Sequence, residues 1–160
     1  MTEEKPAKIT VLDAASVEPI YGTPYPEPYD REPAAREKRP LGDAVGLRNF
    51  GVNMTRLRPG VWSAQRHWHT RQDELIYIVS GEVTLVTDAG EEVLTAGQIA
   101  GFPAGNADGH CLINRGNADA VYLEIGDRMP GDEVRYPDID LLRRDDAGTK
   151  SFTNKSGRPY

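Results

Sequence analysis

Residues 66–81 read Arg66-His67-Trp68-His69-Thr70-Arg71-Gln72-Asp73-Glu74-Leu75-Ile76-Tyr77-Ile78-Val79-Ser80-Gly81. The second half, Glu74 to Ser80, is rich in β-branched and aromatic residues and reads as a strand that Gly81 interrupts. Side chains alternate along a strand with period two, so Glu74, Ile76 and Ile78 share one face. The two isoleucines turn that face inward, and the Glu74 carboxylate goes inward with them. Asp73 is the competing acid, but an inward Asp73 would reverse the whole strand. In the first half, His67 and His69 are one residue apart, so on extended backbone both imidazoles point at the same place. That arrangement asks for a metal.

Outward from this stretch, strands and turns follow in close succession. Phe50 to Leu57 reads as a strand stopped by Arg58-Pro59-Gly60. Glu82 to Thr87 and Glu91 to Leu94 form a hairpin about Asp88-Ala89-Gly90, and the chain turns again at Thr95-Ala96-Gly97. Gln98 to Phe102 is a short strand, and Pro103 to Gly109 a loop. His110 to Asn114 and Val121 to Ile125 complete the series across Arg115-Gly116-Asn117-Ala118. Many short strands with weak helical periodicity imply an all-β antiparallel sandwich or barrel.

The flanks differ in composition. Prolines at 19, 24, 26, 28, 33 and 40 exclude a helix or a central strand between Pro19 and Pro40. Tyr21, Tyr25 and Tyr29 between them suggest an extended strap lying on the domain or on a second subunit. The expected organisation is a Pro/Tyr-rich arm over 1–45, a barrel over 46–127 and a loop-rich tail over 128–160. The tail carries one possible hairpin, turning at Asp145-Asp146-Ala147-Gly148.

The 160 residues suit one domain. A net charge of −6 opposes attraction to a phosphate backbone, so nucleic acid is not expected as a partner. The apolar run Leu75-Ile76-Tyr77-Ile78-Val79 falls far short of the roughly 20 residues that span a bilayer, so no membrane partner is expected either. The opening Met1-Thr2-Glu3-Glu4-Lys5-Pro6 lacks an apolar signal region, which makes the cytoplasm the expected location. The single cysteine, Cys111, excludes an intrachain disulfide and fits a reducing compartment.

Of the three histidines, His67 and His69 lie in the quoted stretch and His110 follows Pro103-Ala104-Gly105. Gly60, His67, His69, Glu74 and Gly81, followed by Gly97, Pro103, Gly105, His110 and Asn114, resemble the two motifs of the cupin superfamily. Two spacings depart from the family pattern. Six residues rather than five separate Gly60 from His67, and four rather than two separate Gly105 from His110. The second excess falls in Asn106-Ala107-Asp108-Gly109, where a loop absorbs length at small cost. The later run from Tyr122 to Asp140 extends the likeness to small single-domain bacterial cupins, some of which carry a sugar-phosphate isomerase label.

The resemblance implies a double-stranded β-helix, or jelly-roll barrel, and a metal held by His67, His69, Glu74 and His110. Imidazoles with one carboxylate suit a divalent first-row ion, whether Mn, Fe, Co, Ni, Cu or Zn, and leave positions open for substrate. It further implies a metal-dependent enzyme on a small polar metabolite, of sugar or sugar-phosphate isomerase type. The alternatives are a dioxygenase-type cupin and a non-catalytic ligand-binding or sensor cupin. A homodimer is expected, with the strap and tail covering the partner's barrel edge. Arg56, Arg58, Arg66, Arg71 and Arg115 flank the motifs, and any of them would suit a substrate carboxylate or phosphate, although most arginines are solvated surface charges. Trp68 and Cys111 are out of phase with the histidines and read as packing, Tyr77 and Tyr122 as core. Glu124 becomes a proton-transfer candidate if its strand turns it inward, and no catalytic acid or base is otherwise assigned.

Overall fold

Inward–outward alternation decides how the central strands stack. The structure, a computed structural model, describes residues 8–146 and 149–160. Its strands are β1 (Ile20–Tyr21), β2 (Glu37–Arg39), β3 (Phe50–Leu57), β4 (Trp68–His69), β5 (Glu74–Ser80), β6 (Glu82–Thr87) and β7 (Gly90–Thr95). They continue with β8 (Ile99–Phe102), β9 (Cys111–Ile113), β10 (Ala120–Asp127), β11 (Glu133–Arg135), β12 (Leu142–Asp146) and β13 (Thr149–Thr153). Helix is confined to one turn at Leu41–Ala44 and a 3₁₀ turn at Ala14–Ser16 among the described residues.

One wall is a six-stranded antiparallel sheet in the order β1-β2-β3-β10-β5-β8. The other is built from β7-β6-β9 and β13-β12-β11-β4. Reciprocal backbone bonds between His67 and His110, at 3.1 and 2.8 Å, stitch these last two sheets together. Leu57, Ile76, Ile78 and Tyr122 from the first wall meet Val83, Leu85, Leu94 and Leu112 from the second in one apolar core. Each fully buried side chain of this kind contributes about 1.5–3 kcal/mol. The all-β jelly-roll expectation therefore holds.

The phase of β5 is the one alternation requires. Ile76 and Ile78 are buried, whereas Leu75, Tyr77 and Val79 are exposed. Tyr77, expected in the core, is 40% exposed because it sits between the two buried isoleucines on the opposite face. At the β5–β6 corner Gly81 takes φ +73°, and a Cβ there would lie 2.5 Å from the Asp119 carbonyl oxygen, so only glycine fits. Asn114, fully buried, donates to the carbonyls of Leu57 and Ala118 and accepts from the Gly116 N–H, which closes the loop after β9.

The flanks are more regular than their composition suggests. Glu37–Arg39 pairs with β1 on one side and β3 on the other, so three residues between prolines do form an interior strand. They escape the proline constraint because Pro33 and Pro40 fall outside the paired run. Buried Glu37 is bonded to Arg56 of β3 and to Arg39, and Arg56 first of all holds its carboxyl below the ordinary range. Tyr25 and Phe152 pack with Tyr136 in a second small cluster around Val134 and Leu141. In the tail, β12 and β13 pair through Asp146 and Thr149. Asp145 and Asp146 of the expected turn are thus strand residues, and its Ala147 and Gly148 lie outside the described residues.

Candidate metal centre

His67 and His69 reach the cavity by a shared device. The His67 Nδ1–H donates to the Gln65 carbonyl at 2.8 Å, and the His69 Nδ1–H to the Asp132 carboxylate at 2.6 Å. Those bonds fix the tautomer and leave an Nε2 lone pair on each ring as a potential ligand. Burial first, then the neighbouring His110, pushes His67 well below its ordinary pKa, so its imidazole is neutral, as a metal ligand must be.

Glu74 enters from β5 on the inward face. One donor atom each from His67, His69 and Glu74 lie within 4.8 Å of one another, a group that could hold a metal ion. The Glu74 Oε2 is 3.7 Å from His69 Nε2 and 3.4 Å from His110 Nε2. Burial pushes its carboxyl pKa up, but the adjacent His110 and His67 outweigh that and hold it below the usual range. Asp73 is engaged elsewhere, accepting the Ala104 N–H at 2.7 Å.

His110 stands beside the trio rather than inside it. Its backbone is tied to His67, and its ring lies flat on Phe102, with centroids 3.5 Å apart. The ring is buried, and neither nitrogen has a hydrogen-bond partner among the described residues. A buried imidazole that meets the Glu74 carboxylate only at 3.4 Å, without a hydrogen bond, costs free energy that an ion accepting its lone pair would offset. The donor set and this orphaned ring fit a divalent transition metal. The residues so placed could hold such an ion, whose identity imidazole and carboxylate alone do not fix.

Asp132 carried no assigned role in the sequence reading. It is 1% exposed and accepts three bonds, from His69 Nδ1, Thr70 Oγ1 and the Arg71 N–H. It orients His69 as carboxylates commonly orient metal-binding histidines. No local pattern marks it, because the pairing of β11 with β4 brings it there.

The trio opens into a cavity of about 770 Å³ that Glu124 and Tyr122 also line. Glu124 is turned inward by the alternation of β10 and is bonded to Lys38 at 2.7 Å. Burial opposes its ionisation, but Lys38, Arg36 and Asn53 outweigh burial and hold its pKa below the ordinary value. The Tyr122 hydroxyl is buried without a partner among the described residues, and burial keeps it protonated. The arginines singled out from sequence lie elsewhere. Arg56 pairs with Glu37 and Asp119, Arg66 with Asp138 and Asp88, and Arg115 with Glu91. None of these, nor Arg58 or Arg71, lines the cavity. Cys111 is buried, and its thiol is pushed up to about 12 by that burial, which suits packing and not nucleophilic chemistry.

Residues 53–126 match the family model described as "Cupin domain". A sugar phosphate isomerase from a cupin superfamily, from Silicibacter pomeroyi DSS-3, superposes with a TM-score of 0.90 at 40% identity, over 94% of this chain and 96% of that one. A proposed sugar phosphate isomerase from Acidithiobacillus ferrooxidans ATCC 23270 is 31% identical, with a TM-score of 0.72, over 79% of this chain and 81% of that one. The polyketide cyclase RemF from Streptomyces resistomycificus shares the fold at 20% identity and a TM-score of 0.65, over 82% of this chain and 87% of that one. No curated protein matches the chain in sequence.

Proposed function

Because the chain belongs to the cupin superfamily, sharing 40% identity over nearly its full length with a sugar phosphate isomerase of that superfamily, we propose that it is a metal-dependent isomerase of a sugar or sugar phosphate. The observation that carries this reading is that one cavity holds both the donors His67, His69 and Glu74 and a separate ionised carboxylate, Glu124. Isomerisation of a hydroxy-carbonyl compound needs those two things: an electrophile for the carbonyl and a base for the adjacent carbon.

His67, His69 and Glu74 would hold a divalent ion, which would supply the electrophilic polarisation of the carbonyl. Glu124 takes the proton from the carbon next to the carbonyl. The C–H electron pair moves into the C–C bond as charge collects on the carbonyl oxygen. That oxygen takes a proton from the Tyr122 hydroxyl, which recovers one from the neighbouring substrate hydroxyl as that group becomes the new carbonyl, and Glu124 returns its proton to the former carbonyl carbon. Lys38 keeps Glu124 ionised and fixes its position. The protonated Tyr122 hydroxyl offers a hydrogen bond to a substrate oxygen, and the apolar core beneath excludes water.

The test is a screen of aldose and ketose sugars and their phosphates with metal-restored protein. A Glu124→Gln variant is expected to keep its metal and lose about 100-fold or more in turnover, as loss of a general base does. Undiminished turnover in that variant overturns Glu124 as the base. Oxygen consumption without aldose–ketose exchange would move the site to dioxygen chemistry.

A further inference from the structure

The same cavity is lined by five cations and six carboxylates; Arg128 pairs with Asp43, and the other four cations, Arg36, Lys38, Arg143 and Lys150, come from the arm and tail. Lys38 is neutralised by Glu124 at 2.7 Å. Arg36 spends Nη1 and Nη2 on the carbonyls of Ser63 and Gly22, at 2.7 and 2.8 Å, and its buried Nε has no partner among the described residues. The buried Nε of Arg143 likewise has none. Lys150 stands across β13 from Asp145, its cross-strand neighbour, and next to Arg143. Beside these four cations stand Glu124 and Asp145, and Asp132, already committed to His69, Thr70 and Arg71, also feels the charge of Arg143. Partly buried guanidinium groups resting on carbonyls, or on nothing, are costly unless an anion joins them.

We infer that Arg36, Arg143 and Lys150 form an anion subsite for a phosphate monoester, holding the phosphoryl end of the substrate whose other end faces His67, His69 and Glu74. The two buried guanidinium Nε–H groups, unpartnered among the described residues, and the exposed Lys150 ammonium offer donors from several directions, which suits the three terminal oxygens of a phosphate monoester better than the two of a carboxylate. Guanidinium forks pair with phosphate oxygens two at a time, and an ammonium adds a point charge. Strand phase supports the placement: Arg143 pairs across with Phe152, which packs on Tyr25, so the inner face of the tail hairpin looks into the cavity. All four cations lie outside residues 53–126, so this subsite belongs to the arm and tail and not to the general barrel. The inference rests on the reading of the cavity as the substrate site, but its test needs neither metal nor turnover.

Inorganic phosphate is titrated calorimetrically into the full chain with a chelator present, so that no ion can hold the phosphate. Saturable binding of one phosphate per chain is expected, weakened at least tenfold in Arg143→Met and in Lys150→Met and unchanged in Arg115→Met. Lys150 is exposed, so Lys150→Met reports on binding without threatening the fold. Equal binding in all variants, no binding, or acetate binding as tightly as phosphate each overturns the inference. With metal restored, Lys150→Met is expected to raise KM for a sugar phosphate at least tenfold and leave that of the unphosphorylated sugar unmoved. A phosphate-binding protein that turns over neither sugar would sink the isomerase reading and leave the subsite standing.

Discussion

The barrel strands β3 to β10 and the two flanks that wrap them are held by different physics. In the barrel, Leu57, Ile76, Ile78 and Tyr122 are almost wholly removed from water, and adjacent strands run in long antiparallel register. The arm and tail are held by ion pairs, such as Glu37 with Arg56 and Asp138 with Arg66, and by aromatic edges around Tyr25. The division of labour follows the same line. The barrel supplies the candidate metal donors and Glu124, while the flanks supply Asp132 behind His69 and the cations Arg36, Arg143 and Lys150. A general barrel thereby gains a particular cavity from short strands added at its edges.

Asp132→Asn is the sharpest way to break that comparison. It acts on a barrel ligand from the tail, and a ligand-orienting carboxylate of this kind is worth about 10- to 100-fold in metal affinity. Competition with a metallochromic indicator measures it. An affinity within twofold of the unaltered protein would mean that the barrel needs no help from the tail to orient His69.

A smaller effect separates the regions by pH. In the metal-free protein His67 has a folded pKa well below the ordinary 6.5, chiefly through burial. The unfolded chain therefore binds a proton that the folded one does not as pH falls below about 6.5, and stability falls with it, by up to about 1.4 kcal/mol per unit of depression. Glu37 and Asp138 behave differently. Their folded pKa values are lowered by Arg56 and Arg66, so their stabilisation is complete above the unfolded values near 4.5 and 3.8 and is lost only as pH falls through the lower folded ones. The thermal midpoint is expected to decline first below about pH 6.5 and again below about pH 4.5. His67→Gln should remove the first decline and spare the second. A midpoint flat from pH 7 to pH 5 in the metal-free protein would contradict the burial of a neutral His67.

How much could be read from the chain follows the same boundary. Alternation over Glu74–Ser80 and Ala120–Asp127 is local, so strand phase and the inward direction of Glu74 were legible without any partner. The same phase put Tyr77 outward, and treating it as core set a residue-type preference above the strand's own pattern. Asp132, Arg36, Arg143 and Lys150 were not legible: Asp132 and Arg36 arrive through pairing between distant segments, β11 with β4 and β2 with β3, and the local hairpin that carries Arg143 and Lys150 reaches the cavity only because β12 pairs with β11 and β11 with β4. Three-residue strands such as Glu37–Arg39 and Glu133–Arg135 are too short to show a period. His110 is an intermediate case: its place beside Glu74 follows from the backbone bridge to His67, which the longer Asn106–Gly109 loop permits.

Metal content decides the most. Equilibrium dialysis of the chelator-stripped chain against a single divalent ion is expected to give one ion per chain. His67→Ala with His69→Ala should abolish uptake, Glu74→Ala should abolish or greatly weaken it, and Asp73→Ala, whose carboxylate is spent on the Ala104 N–H, should leave it intact. No uptake by the unaltered chain, or equal uptake by the double-histidine variant, would contradict a metal centre at His67, His69 and Glu74.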